Sequence, residues 1–378
     1  MRKQLILATL LLSSSVALAE GTSNQQDQRA PQLSQGQKRV DLVIALDTSS
    51  SMDGLIDSAR QKLWDVVLLL GKAKPQPLVR VGLISYGNDG YDSRVGWVRK
   101  DAELTTNLDD VYAKLFALHT NGGTEYVARA VHDATTKMQW DQSQDTLKII
   151  FVAGNEPANQ DPLIPVEKAV NDAREKGIFV NAIYCGSDSA GEAIGWRDVA
   201  GRGAGQYAAI DQNHVVAVAT PMDAELQRLS GELNKTYVGY GAMGAGKAAN
   251  QAAQDKNAAA SGAPVAAARA AAKATTVYRN DEWDIVDAAR HHKKDVKAMP
   301  AAELPPPMVT MTPAQREHFV EEKSAEREKL QKQIAELAQK RDAYIAKERR
   351  KRAAGPASFD DAVTSTIKTE AQKAGMAF

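Results

Sequence analysis

Between Arg39 and about Tyr240 the chain alternates two textures. Short, nearly continuous apolar runs have strand length: "RVDLVIAL", "LVRVGLISYG", "SRVGWVRK", "TLKIIFVAG", "IFVNAIYCG" and the weaker "GQYAAI". Most are separated by stretches whose apolar residues recur every three or four positions. Leu55, Ala59, Leu63, Val66, Val67 and Leu70 form one such set, and Val127, Ala130, Val131, Ala134 and Met138 another. That spacing places each set on one face of a helix. A run that stays apolar at every position is buried on both faces, as in a mostly parallel sheet covered by helices on either side. The turn-rich "YGNDGYDSR" joins two neighbouring runs and predicts a hairpin at one edge. The pattern predicts an α/β fold, a doubly wound, mostly parallel sheet, over residues 39–240.

The texture then changes. Residues 241–275 are rich in Ala and lack large apolar side chains, and Gly and Pro interrupt them, so they predict a spacer. Tyr278, Trp283, Ile285 and Val286 return in a short stretch that predicts a small docking element, which opens a charged helical C-terminal region over residues 276–378. After "AAELPPPMVTMTP" breaks the chain, Thr312-Pro313 is a cap followed by proline at the first helical position, the start of a long charged helix. Glu328/Lys332 and Glu336/Lys340 are favourable pairs on it. Leu330, Ile334, Leu337 and Tyr344 make an apolar stripe of about two heptads. Such a stripe suits a helix lying on its own neighbour as well as an oligomer that pairs two copies in a coiled coil. The basic run Lys347–Arg352 is the segment suited to an anionic membrane surface. "SFDDAVTSTIKTEAQKAG" predicts a last short amphipathic helix.

The opposite end of the chain bears on location. Arg2 and Lys3, the apolar Leu5 to Leu12 and the small residues of Ala17-Leu18-Ala19 have the form of an export signal peptide over residues 1–19. Residues 20–38 are polar and Gln-rich, the composition of a flexible linker. The expectation is an exported protein of the periplasm or cell envelope. Cys185, the single cysteine, can form no internal disulfide and is expected to fill core space. Lys plus Arg equal Asp plus Glu at 47 each, so bulk charge argues against nucleic acid as a partner.

In an open α/β sheet, ligands gather where strands end and helices begin, near the reversal of strand order. Asp47 closes "LVIAL", and Ser49 and Ser51 follow before a helix. One carboxylate and two hydroxyls are oxygen ligands for a hard cation, Mg²⁺ above all, though too few to fill six positions alone. "LHTNGGTEY", from His119 to Tyr126, is a second such loop, with Thr124 just before a helix. Taken singly, Thr124 and the serine triplet would each serve as helix caps. On successive strand-to-helix loops of one sheet, they favour a cation site.

"LDTSSSM" and "GGT", on this order of strands and helices, resemble the von Willebrand factor type A domain. The resemblance implies a metal-ion-dependent adhesion site. Asp47, Ser49 and Ser51 would bind Mg²⁺, or Mn²⁺ or Ca²⁺, with Thr124 alongside, and an acidic side chain of a protein partner would complete the shell. The chain departs from the family at the third loop. Where members carry Thr-Asp-Gly it has Ala153, Gly154 and Asn155, so the usual Asp is replaced by Gly154, with Asn155 and Glu156 next to it as substitutes.

Three function classes follow. The first is a protein-binding module that captures a partner through the cation. The second is an enzyme, against which stands the absence of a Gly-x-Ser-x-Gly elbow, a phosphate loop or a His-Glu-x-x-His pair; only His119 lies beside a site loop. The third is a metal-free scaffold acting through the helical tail. The expectation is the first, without catalysis.

Overall fold

The computed structural model describes residues 38–213, 217–292, 294–351 and 359–378. The expected signal peptide and, but for Lys38, the expected linker lie outside the described residues, as does Arg352 of the basic run.

Strand β1 (Arg39–Asp47) lies in the interior of a six-stranded sheet, and every one of its residues is buried. Its side chains explain the unbroken apolar run. Val40, Leu42, Ile44 and Leu46 enter one core, and Val43 and Ala45 enter the core on the other face. The one polar interior position, Asp41, takes two hydrogen bonds from the Arg80 guanidinium, at 2.8 and 2.5 Å. β1 runs parallel to β2 (Leu78–Tyr86) on one side and to β4 (Thr146–Gly154) on the other. Beyond β4 follow β5 (Ile178–Tyr184) and β6 (Ala204–Ala209), both parallel. Beyond β2 lies β3 (Val98–Thr105), antiparallel to it and forming the expected edge hairpin. The order β3-β2-β1-β4-β5-β6 reverses direction between β1 and β4. A crevice therefore opens at the carboxyl ends of those two strands.

Helices α1 (Asp53–Lys72) and α2 (Leu108–Phe116) cover one face of the sheet. On the other face lie α3 (Val127–Lys137), α4 (Val166–Glu175) and α5 (Ala193–Arg202). α6 (Asp223–Asn234) comes next in the chain.

Residues 241–275 are not the spacer that their composition predicts. They fold into α7 (Gly244–Ala260) and α8 (Ala263–Lys273), and α8 buries Ala267, Ala268, Ala270, Ala271 and Ala272 among α1 and α6. Small side chains let helices approach closely, so an alanine face packs with Val265 as its one large apolar residue. The bulk comes from neighbours and from two buried cations. Arg269 binds Asp109 at 2.6 Å and Asp255 at 2.5 Å, with its guanidinium 4.5 Å over the Trp64 ring. Lys273 bonds Asp255 and Asn234.

The docking element is present. Trp283 is buried, Asp284 accepts from the Val238 amide at 2.6 Å, and α9 (Ile285–His292) follows. α10 (Pro313–Lys351) begins with a reciprocal cap. The Gln315 amide donates to the Thr312 hydroxyl at 3.4 Å, and the Thr312 amide donates to the Gln315 side chain at 2.8 Å. Val320, Arg327, Ile334 and Arg341, seven residues apart, are its buried seam. Ile334, with Leu330 and Leu337 against it, joins Leu226, Leu229, Leu233, Ala267 and Ala270. Of the two arrangements open to the stripe, the helix lies on its own chain, and the apolar seam is covered by α6 and α8. Glu328 pairs with Arg290 at 2.8 Å rather than relying on Lys332. α11 (Phe359–Lys373) adds Val363, Ile367 and Ala371 to the core beside α1, and Ala377 and Lys74 exchange both backbone hydrogen bonds at 2.8 Å.

Candidate metal centre

The serine triplet does not cap α1. That helix is capped by Met52 without a side-chain hydrogen bond. Instead the Ser49 amide donates to Asp47 Oδ1 at 2.8 Å, which turns the chain back over the end of β1. The loop is held on both sides. The Thr48 amide and hydroxyl donate to the Tyr86 carbonyl at 2.7 and 2.8 Å. The Ser50 amide donates to the Gly122 carbonyl at 2.9 Å, and the Asn121 amide to the Thr48 carbonyl at 3.0 Å, which joins the two predicted site loops. The Ser49 and Ser51 hydroxyls are 3.2 Å apart, and Asn155 Nδ2 donates to Ser51 Oγ at 3.1 Å. Asp47, Ser49, Ser51 and Asn155 therefore form one continuous polar row.

Thr124 is half-buried on the second loop and is not a helix cap either, since α3 is capped by Tyr126. The residue that the sequence reading passed over is its neighbour, Glu125. It is 5% exposed, and a Cβ built on Gly87 would lie 2.8 Å from Asp47 Oδ1 and 2.9 Å from Glu125 Cγ, so both side chains close on one point. Gly87, with φ +78°, leaves that point open. The only signal available was an acidic residue directly after Gly-Gly-Thr and just before an apolar helix.

The missing Asp of the third loop has a steric cause. A Cβ on Gly154 would stand 2.5 Å from Tyr86 Oη and 2.9 Å from Asp47 Oδ2. Tyr86 is fully buried and donates its hydroxyl to the Ala153 carbonyl at 3.0 Å, so its phenol occupies the space that a carboxylate would need. Of the two substitutes, Asn155 reaches the row, whereas Glu156 is exposed and its carbonyl accepts from Trp196 Nε1 at 2.8 Å. His119 is exposed and offers the neighbourhood its carbonyl, which accepts from Asn88 Nδ2 at 2.8 Å. Cys185 is buried as expected, its thiol pushed up by burial and then by the charge of Asp47.

The electrostatics are those of anions held close together. Burial, then the charge of Glu125, pushes Asp47 up to about 8; burial, then Glu156, pushes Glu125 up to about 7. Asp47 Oδ2 and Glu125 Oε2 are buried with no hydrogen-bond partner. Buried carboxylate oxygens are normally paired, because leaving one unmade costs its full desolvation. An oxygen-only donor set with two orphaned anionic oxygens fits a hard divalent cation. Among the described residues there is no group of three or more His, Cys, Asp or Glu suited to a metal.

This loop geometry stands at the switch point of a sheet whose residues 41–213 match the family model of the von Willebrand factor type A domain. The chain carries a von Willebrand factor type A domain. Solved structures similar to it include proximal thread matrix protein 1 from the mussel byssus with a zinc-occupied MIDAS motif. That protein is 12% identical, with 46% of this chain and 42% of that one covered and a TM-score of 0.37. The pilus adhesin SpaC from Lactobacillus rhamnosus GG is 15% identical, with 46% and 28% covered and a TM-score of 0.34. The SpRpn10 VWA domain is 13% identical, with 48% and 100% covered and a TM-score of 0.35. The chain thus spans about four-tenths of the length of the mussel protein. No curated protein matches it.

Proposed function

We propose that this chain is a non-catalytic binding protein of the cell envelope that captures a protein partner through a divalent cation, Mg²⁺ or alternatively Mn²⁺ or Ca²⁺. Asp47, Ser49 and Ser51 hold the ion, with Thr124 alongside and Asn155 orienting Ser51. An acidic side chain of the partner completes the shell. The observation that carries this reading is the buried, unpartnered Oδ2 of Asp47 at the switch point of the sheet. The match to the type A family, whose domains serve as protein-interaction modules, supports it.

When bound, the ion supplies the positive charge that takes up an anionic oxygen. The protein's part is to keep its donors fixed. Backbone hydrogen bonds to Tyr86 and Gly122 set the serine loop before any ligand arrives, so little ordering cost falls on binding. The test is chemical crosslinking of the purified chain to envelope extract in Mg²⁺, in chelator, and with Asp47→Ala. A set of partners lost in both chelator and Asp47→Ala is expected. The same set in all three samples would rule out the cation bridge.

A further inference from the structure

Resting on the cation reading, we infer that Glu125 supplies the second carboxylate of the site, moved from the third loop to the second, and that the ion is therefore resident before a partner arrives. Position 154 cannot contribute a carboxylate while Tyr86 fills its space. A site with Asp47 alone would leave a divalent cation with one uncompensated positive charge, to be met by the partner. Glu125 removes that requirement. It is nineteen-twentieths buried, its Oε2 has no partner, and its Cγ and Asp47 Oδ1 converge on the space above Gly87. The Ser49 amide donates to Asp47 Oδ1 at 2.8 Å and leaves Oδ2 unpartnered. Two buried acidic side chains that approach the same space, each with one carboxylate oxygen unpartnered, are best compensated by a cation shared between them. Two carboxylates against one divalent ion also balance in charge. Glu156 is exposed, so its charge acts on Glu125 from the solvent side and its carboxylate is not a ligand in this arrangement.

Calorimetric titration of Mn²⁺ into the purified full chain, stripped with chelator and free of any partner, tests both ideas separately. Wild type is expected to bind one ion, Glu125→Gln to bind at least tenfold more weakly, and Glu156→Gln to bind as wild type. Wild-type affinity in Glu125→Gln with binding abolished in Asp47→Ala would overturn the role of Glu125 and leave the cation reading standing. No binding by wild type would overturn the resident ion, and the cation reading would then stand or fall on whether partner capture is lost in chelator. Thermal unfolding in chelator guards against misfolding. Glu125→Gln is expected to melt at or above the wild-type temperature, because it removes a buried like-charge contact; a lower melting temperature would count against two carboxylates converging on one point.

Discussion

The Tyr86 hydroxyl stands 2.5 Å from the place a Gly154 Cβ would occupy, so the two residues define one another. Restoring the usual acid with Gly154→Asp is therefore expected to destabilise the fold, by about 1–3 kcal/mol as for other overpacked cores. Tyr86→Phe alone loses one hydrogen bond, about 1 kcal/mol. In the double variant the missing hydroxyl opens the space, and urea unfolding should show less than the sum of the two losses. Strict additivity would mean that the phenol does not exclude the carboxylate.

The tail helix is fastened by a buried guanidinium. Arg327 donates to Asp284 and Asp287 at 2.6 Å each and to the Thr236 carbonyl at 2.6 Å, with its guanidinium 4.0 Å over Tyr237. Arg327→Met leaves two buried acids without their cation, and a loss of about 3–5 kcal/mol is expected in denaturant unfolding. Arg327→Lys should recover little, since an ammonium cannot make the forked set.

If α8 is packed and not a spacer, its alanines are sensitive to size. Ala268→Leu, at a position 1% exposed beside α1, should cost about 1–3 kcal/mol. Ala253→Leu on the exposed side of α7 should change stability by less than about 0.5 kcal/mol. Equal tolerance at both positions, measured by thermal unfolding, would favour a loose segment.

Glu370 on α11 is buried against Asn181, and burial pushes its carboxyl up to about 7. The folded chain therefore keeps a proton that the unfolded chain has already released. The contribution of this group to stability is full below about 4.5 and is lost as pH rises towards 7. Glu370→Gln should be more stable than wild type at pH 8, by on the order of 1–3 kcal/mol, with the gap closing at acid pH. A gap independent of pH in paired melting curves would contradict this.

The strands were readable because β1, β4 and β5 are buried on both faces, and burial on both faces leaves an apolar residue at nearly every position. Asp47, Ser49 and Ser51 were readable because three donors alternate at a strand end. Two features were not. Ala267 to Ala272 carry no hydrophobic bulk, so their burial is visible only once Trp64 and the α6 leucines are known to lie against them. Glu125 follows Thr124 by one position, and nothing in the linear pattern tells a carboxyl that turns under the loop from one that faces solvent. The resemblance also drew attention to the third loop, where the phenol of Tyr86, distant in sequence, had already taken the space.

The pairing of Ala377 with Lys74 also bears on how the molecule reaches its native state. The sheet face beside α1 is finished by α11, from the far end of the chain, so hydrophobic surface on β4 and β5 stays open until nearly every residue is available. Contacts of such separation make folding slow. The face of the sheet beside α1 is therefore the last part of the core to close.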